Sequence, residues 1–312
     1  MPEINYDNKT TMQDAPVIKK LGVVSENGEM TPFVRKGRLM RIESIWKDIT
    51  DAEKVSCCAV IVDAATGETS APFGHGNYYF SGYCEDDVVY AFCSCRNQIR
   101  MFWSEDLVHW QSKVILTMPG RFAIANTSVC KGGGQYVMAY ECARAVGILD
   151  EPLDPDVGHP YTEFFATADN LMTWTPMPFD RAYTKERYNA CPALRYAGGH
   201  YYMICLEALP LARYAPYIYR TRDFVTWEIG LHNPVLMFSN EDRCLKPGIR
   251  LSPEVEARLP HYMNINNCDV DLCEFEGTTR IYYLTGNQLG FAVMCEAVYE
   301  GPLEQFLQAH FQ

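Results

Sequence analysis

Three glutamates and two aspartates are the residues of this chain best placed to do chemistry. Glu43, Glu141 and Glu207 each close an apolar run: Leu39-Met40-Arg41-Ile42-Glu43, Tyr136-Val137-Met138-Ala139-Tyr140-Glu141 and Met203-Ile204-Cys205-Leu206-Glu207. A carboxyl group at the end of such a run is partly desolvated. Burying several side by side costs free energy unless they bind something or hold protons. That arrangement pulls two pKa values apart into an acid and a base. Asn267, Asp269 and Asp271 are spaced by two, so they share one face of an extended segment whose other residues, Val270 and Leu272, are apolar.

The elements that must hold these groups follow from a repeat. Ser104-Glu105-Asp106-Leu107-Val108-His109-Trp110, Ala168-Asp169-Asn170-Leu171-Met172-Thr173-Trp174 and Thr221-Arg222-Asp223-Phe224-Val225-Thr226-Trp227 share one pattern: a small or hydroxylated residue, Asp or Asn, Leu or Phe, then Trp. Around each copy the chain runs apolar strand, turn, apolar strand, turn, short strand. Gly132-Gly133-Gly134 and Ala197-Gly198-Gly199 supply two of the turns. Two divergent copies flank these, one starting at Pro32-Phe33-Val34 and one at Val270 to Phe275. A recurring supersecondary unit marks a repeat architecture. The expected fold is all-β: a five-bladed β-propeller of four-stranded antiparallel blades around a central funnel, over residues 29–302. Residues 1–28 read as a polar arm and 303–312 as a short helical tail. The Trp hairpins are expected to close outer blade edges, and Val146 to Tyr161 to loop over the funnel mouth.

In a propeller the first strands line the axis, where ligands sit. Superposing the copies puts the three glutamates at one rim and His75, Asn126, Asn189 and Asn267 at the starts of first strands. Asn287 stands at the rim of the last copy, and Arg187 and Tyr188 precede Asn189. These residues would supply amides, an aromatic face and a cation to sugar hydroxyls.

Composition narrows the partners. The 312 residues carry a net charge of -12, which leaves no excess of cations to bind a nucleic-acid backbone. Twenty Tyr favour strands and surfaces that stack on sugar rings. The 13 Cys lie in strand-like runs without zinc spacing and read as reduced, mostly buried thiols. No apolar stretch approaches a membrane span, and Met1 to Lys20 lacks the apolar centre of a signal peptide, so a cytoplasmic location is expected. No cofactor motif appears. An axial calcium or magnesium ion near His75 and the carboxylates has no ligand spacing behind it.

With its Trp hairpins and axial carboxylates the chain resembles the five-bladed β-propeller glycosidases, the superfamily of glycoside hydrolase families 43, 117 and 130 and of the fructosidases. The resemblance implies hydrolysis of a short oligosaccharide by a carboxylate pair, with inversion. Glu141 or Glu207 would be the acid, Asp269 or Asp271 the base, and Glu43 a third carboxylate. Those enzymes carry a base aspartate on the first strand of blade one. Here that strand reads Met30-Thr31-Pro32-Phe33, and blades three and four open with Asn126 and Asn189, so the usual base position reads as empty. Two other functions stay open: a non-catalytic carbohydrate-binding propeller, and a glycoside phosphorylase using Arg96, Arg187 and Arg195 for phosphate.

Overall fold

The computed structural model describes residues 15–47, 56–118, 124–143, 161–181, 183, 188–210, 213–287 and 290–312. Strand β1 (Lys19–Ser25) is followed by β2 (Gly28–Arg35), β3 (Arg38–Lys47) and β4 (Ser56–Asp63). Next come β5 (Tyr78–Glu85), β6 (Val88–Cys95), β7 (Gln98–Ser104) and β8 (Gln111–Thr117), then β9 (Ile124–Gly132), β10 (Gln135–Ala143), β11 (Tyr161–Asn170) and β12 (Thr173–Pro176). Strands β13 (Asn189–Ala197), β14 (His200–Leu209), β15 (Arg213–Thr221) and β16 (Trp227–Ile229) lead to helix α1 (Pro253–Arg258). The chain ends with β17 (Asn266–Phe275), β18 (Thr278–Gly286), β19 (Ala292–Tyr299) and helix α2 (Leu303–Ala309).

The strands form antiparallel groups in chain order: β2-β3-β4, β5-β6-β7-β8, β9-β10-β11-β12 and β13-β14-β15-β16. The last group is β17-β18-β19 with β1 on its outer edge, joined to the preceding group by a single parallel pair, Tyr214 with Asn266. Strand β1 places part of the expected polar arm, residues 1–28, in the last sheet. Lys19 to Ser25 pair with β19, Val23 is fully buried, and Lys20 forms an ion pair with Asp242 at 2.8 Å. The tail is likewise part of the core, because α2 buries Phe306 and Leu307 against the last sheets. Burial of two such side chains contributes about 1.5–3 kcal/mol each.

The first strands touch in sequence, β2 to β5, β5 to β9, β9 to β13, β13 to β17, and β17 back to β2. This closed ring sets what faces the middle of the molecule. Each of its strands also carries one residue more than its partner. The ladder slips between Gly28 and Met30, Tyr78 and Ser81, Ile124 and Thr127, Ala190 and Ala193, and Cys268 and Asp271. These are β-bulges, which re-aim a side chain out of the regular alternation. Four of the residues concerned have left-handed backbone: Glu29, Tyr79, Cys191 and Asp269, with φ of 45, 58, 54 and 48°.

The Trp hairpins turn on side-chain oxygens. Ser104 Oγ accepts the N–H of Leu107 at 2.9 Å and Asp106 Oδ1 that of His109 at 2.8 Å; Thr221 and Asp223 repeat the pattern with Phe224 and Thr226. The Trp rings then pack on the preceding group. Trp110 stacks on Phe73 at 3.7 Å, Trp174 meets Phe92 at 6.3 Å and Trp227 lies 5.7 Å from Phe165.

Candidate active site

The bulges bring three carboxyl groups together. Glu29 from β2 and Asp269 from β17 line a cavity of about 30 Å³, with Asn126, Cys191 and Thr127. That is room for one water molecule. Glu141 of β10 stands opposite the slip in β9, and its Oε2 accepts the Cys191 N–H at 2.7 Å and the Asn126 Nδ2 at 3.3 Å. Glu29 also lines a second cavity of about 640 Å³ that carries Asn27, Trp46, Tyr79 and Asn266. The small water-sized space and the larger one therefore share Glu29.

None of Glu29, Glu141 and Asp269 forms an ion pair among the described residues, and their proton affinities reflect it. Burial pushes the Glu141 carboxyl up to about 8; the Cys191 N–H opposes this and the charge of Asp269 adds to it. Burial, then the charges of Asp269 and Glu141, hold Glu29 well above the ordinary carboxylate range. Asp269 is raised by burial, while hydrogen bonds from the Cys191 and Cys268 thiols pull it back. Like charges in a desolvated site cannot all ionise together, so protons stay on part of the cluster at neutral pH. A fourth carboxyl, Glu163 of β11, pairs in register with Glu141; it is fully buried, and neither of its oxygens has a hydrogen-bond partner among the described residues.

Aromatic rings surround the cluster. Trp46 lies 5.3 Å from Tyr79, and Tyr188 lies 5.8 Å from Tyr161 and 5.4 Å from Tyr214. Burial, with a smaller contribution from the charge of Glu141, raises the pKa of Tyr79, Tyr161 and Tyr188. Such faces suit the apolar sides of sugar rings.

Of the residues singled out from sequence, the structure unites Glu141, Asp269, Asn126 and Tyr188, and places Asp271 beside them. Asp271 is neutralised by Arg195, whose guanidinium also donates to the Leu272 carbonyl at 2.9 Å. That engagement removes Arg195 from the set of free phosphate-binding cations. Glu43 is not at the cluster. It takes Arg41 Nε at 2.5 Å, Ser25 Oγ at 2.7 Å and Asn27 Nδ2 at 2.8 Å, a structural ion pair between neighbours on one strand face. Glu207 accepts from the Tyr219 hydroxyl and from Asn189 Nδ2, so Asn189 serves Glu207. Measured from the bulges, the equivalent of Glu141 on β14 is Cys205, and Glu207 lies two residues further along. Aligning the ends of apolar runs had merged the two.

The first-strand ring shifts in the same way. His75 is exposed in the turn before β5, where its carbonyl accepts Asn77 Nδ2 at 3.2 Å; the bulge residue of that strand is Tyr79. Asn267 is buried within β17, two residues before Asp269, and both its side-chain polar atoms lack a partner among the described residues. Asn287 accepts the Phe291 N–H at 3.3 Å. Arg96 is exposed in the turn after β6. Arg187 and residues 146–160 of the expected funnel loop lie outside the described residues. Glu29, one residue before the assumed strand start, is the bulge residue of β2. Among the described residues no group of three His, Cys, Asp or Glu is arranged to hold a metal ion. No helix among them is long and apolar enough to cross a membrane.

Comparison with known proteins gives no matching family model and no matching curated protein. Solved structures do match in shape. A glycoside hydrolase superposes with a TM-score of 0.62 at 12% identity, covering 96% of this chain and 97% of that one. The catalytic domain of the Coprinopsis cinerea family-62 α-L-arabinofuranosidase gives 0.56 at 9%, covering 91% and 97%. The Bombyx mori family-32 β-fructofuranosidase gives 0.57 at 9%, covering 93% and 63%. The fold is that of the β-propeller glycoside hydrolases. At such identities the likeness is one of architecture, and the chemistry has to come from the carboxyl groups.

Proposed function

We propose that the chain is a five-bladed β-propeller glycoside hydrolase acting on a short oligosaccharide, with Glu141 as general acid and Asp269 as general base. The blade count is supported by the closed ring of β2, β5, β9, β13 and β17, by one extra residue in each, and by β1 completing the last sheet. The observation that carries the function is the pair Glu29 and Asp269 around a space the size of one water, with Glu141 hydrogen-bonded to Cys191 and Asn126 of its lining and none of the three carboxyls in an ion pair among the described residues.

Glu141, with a pKa near 8, holds its proton at neutral pH and can deliver it to the leaving glycosidic oxygen. Asp269 receives hydrogen bonds that favour its charged form and would take the proton of the attacking water. Glu29 lines both cavities and would orient that water or a sugar hydroxyl, taking the place of third carboxylate that Glu43 had in the sequence analysis. Trp46, Tyr79 and Tyr188 would hold the sugar faces. Inversion is proposed, which calls for carboxyls about 6.5–9.5 Å apart, with about 5 Å giving retention.

The test is a screen of aryl glycosides and short oligosaccharides, repeated with Glu141→Gln and Asp269→Asn, and with the anomer of the first product read by NMR. Turnover untouched by both substitutions would remove the site. Binding without turnover would favour a carbohydrate-binding propeller, and turnover that requires phosphate would favour a phosphorylase.

A further inference from the structure

Cys191 occupies a place no ordinary buried thiol needs. It is the left-handed residue of the β13 bulge, with φ of 54°, a conformation that costs a non-glycine residue about 1–2 kcal/mol. The bulge aims its backbone N–H at Glu141 Oε2, 2.7 Å away, and its sulfur at the axial cavity. Asn126 Nδ2 donates to the sulfur at 3.3 Å and also reaches Glu141 Oε2 at 3.3 Å. With its sulfur accepting from Asn126, the thiol has its own proton to give, and the Asp269 carboxyl lines the same small cavity.

We propose that Cys191 is a positioning residue that couples the two halves of the site, its N–H fixing Glu141 and its S–H fixing the Asp269 carboxylate. This role rests on the reading of those two residues as acid and base. The chain Asn126 to Cys191 to Asp269 then sets the orientation of the base, while the Cys191 N–H sets that of the acid. Among the described residues the groups facing Asp269 are Glu29 from β2, Glu141 from β10, Cys191 from β13, Tyr188 just ahead of β13, and Cys268 on its own strand; Asp271, further along, is neutralised by Arg195. Most of these would repel a charge on Asp269, which makes a donor that favours that charge consequential.

A hydrogen bond to a carboxylate lowers its pKa, so losing the donor raises it. Cys191→Ala is therefore expected to move the acid-side limb of kcat/KM upward by about 0.5–1 pH unit. Cys191→Ser, which keeps a donor, is expected to restore it. A packing role alone would lower activity at every pH without moving that limb.

A second measurement needs no turnover. Burial, Asp269 and Glu141 all raise the Cys191 thiol. In Asp269→Asn one of those charges is gone, and alkylation of Cys191 by iodoacetamide, followed by peptide mass spectrometry, is expected to quicken about tenfold. Buried Cys130 reports any general opening of the fold. An unmoved limb in Cys191→Ala, no restoration by serine, or unchanged alkylation in Asp269→Asn would overturn the proposal. Faster alkylation in a chain that hydrolyses no glycoside would support the thiol–carboxylate contact while sinking the glycosidase reading.

Discussion

Asp242 and Asp269 both lie against the last sheet, yet they are built for opposite ends. Asp242 is fully buried and saturated: Lys20 Nζ at 2.8 Å, Asn264 Nδ2 at 2.9 Å, the Ser239 N–H at 2.9 Å and the Tyr283 hydroxyl at 2.7 Å. It ties β1 to the core. Asp269 is half-buried, faces two other carboxyl groups, and has no cation among the described residues. The same contrast separates Glu296, held by Lys246 and Arg280, and Glu43, held by Arg41, from Glu29 and Glu141. A buried carboxylate kept for stability is given a counter-charge. One left without it raises its proton affinity and is free to exchange that proton with a substrate.

The largest consequence falls on catalysis. Glu141→Gln and Asp269→Asn are each expected to lower kcat/KM by about 10²–10⁴ with the circular dichroism spectrum unchanged. In the wild-type chain kcat/KM should fall as pH rises through about 8, because the acid Glu141 then loses its proton. A pH profile flat to pH 9.5 would contradict that assignment.

Stability responds on the paired side. Asp242→Asn leaves Lys20 without its counter-charge and is expected to cost about 3–5 kcal/mol in denaturant unfolding. Glu43→Gln, which leaves Arg41 part of its hydrogen bonding, should cost about 1–3 kcal/mol.

The smallest effect concerns Glu163. Burial and the charge of Glu141 raise its pKa in the folded state. Folded molecules then bind more protons than unfolded ones between the unfolded pKa, about 4.5, and the raised folded value, so stability declines as pH rises across that window. Glu163→Gln removes the decline. Its melting temperature should match wild type near pH 4.5 and exceed it by roughly 2–4 °C at pH 7.5. An equal difference at both pH values would count against an unpaired Glu163.

Much of the fold could be read in the chain because hairpin turns and Trp motifs leave local chemical marks: Gly pairs at positive φ, and Asp or Ser oxygens that cap a turn. Glu141 and Asp269 were likewise visible, as carboxyls interrupting apolar runs. The bulges were not. Their extra residues, Glu29, Tyr79, Cys191 and Asp269, adopt left-handed backbone without a glycine to announce it. The tertiary ring holds that strain, so no local signal marks it. Glu29 was passed over for that reason, since it stands one residue before Met30, where the sequence pattern had placed the start of the strand. Glu43 misled in the other direction, although Arg41 two residues earlier on the same strand face was a sign of an ion pair.

The measurement that bears most directly on the carboxyl cluster sets Asp269→Asn beside Asp242→Asn, with kcat/KM on an aryl glycoside and the unfolding free energy taken for both. The expected result is a crossover. Asp269→Asn loses at least about a hundredfold in kcat/KM and keeps or gains stability, while Asp242→Asn loses stability and keeps its activity per folded molecule. Asp269→Asn retaining wild-type turnover, or unfolding as readily as Asp242→Asn, would contradict the division between paired and unpaired carboxylates.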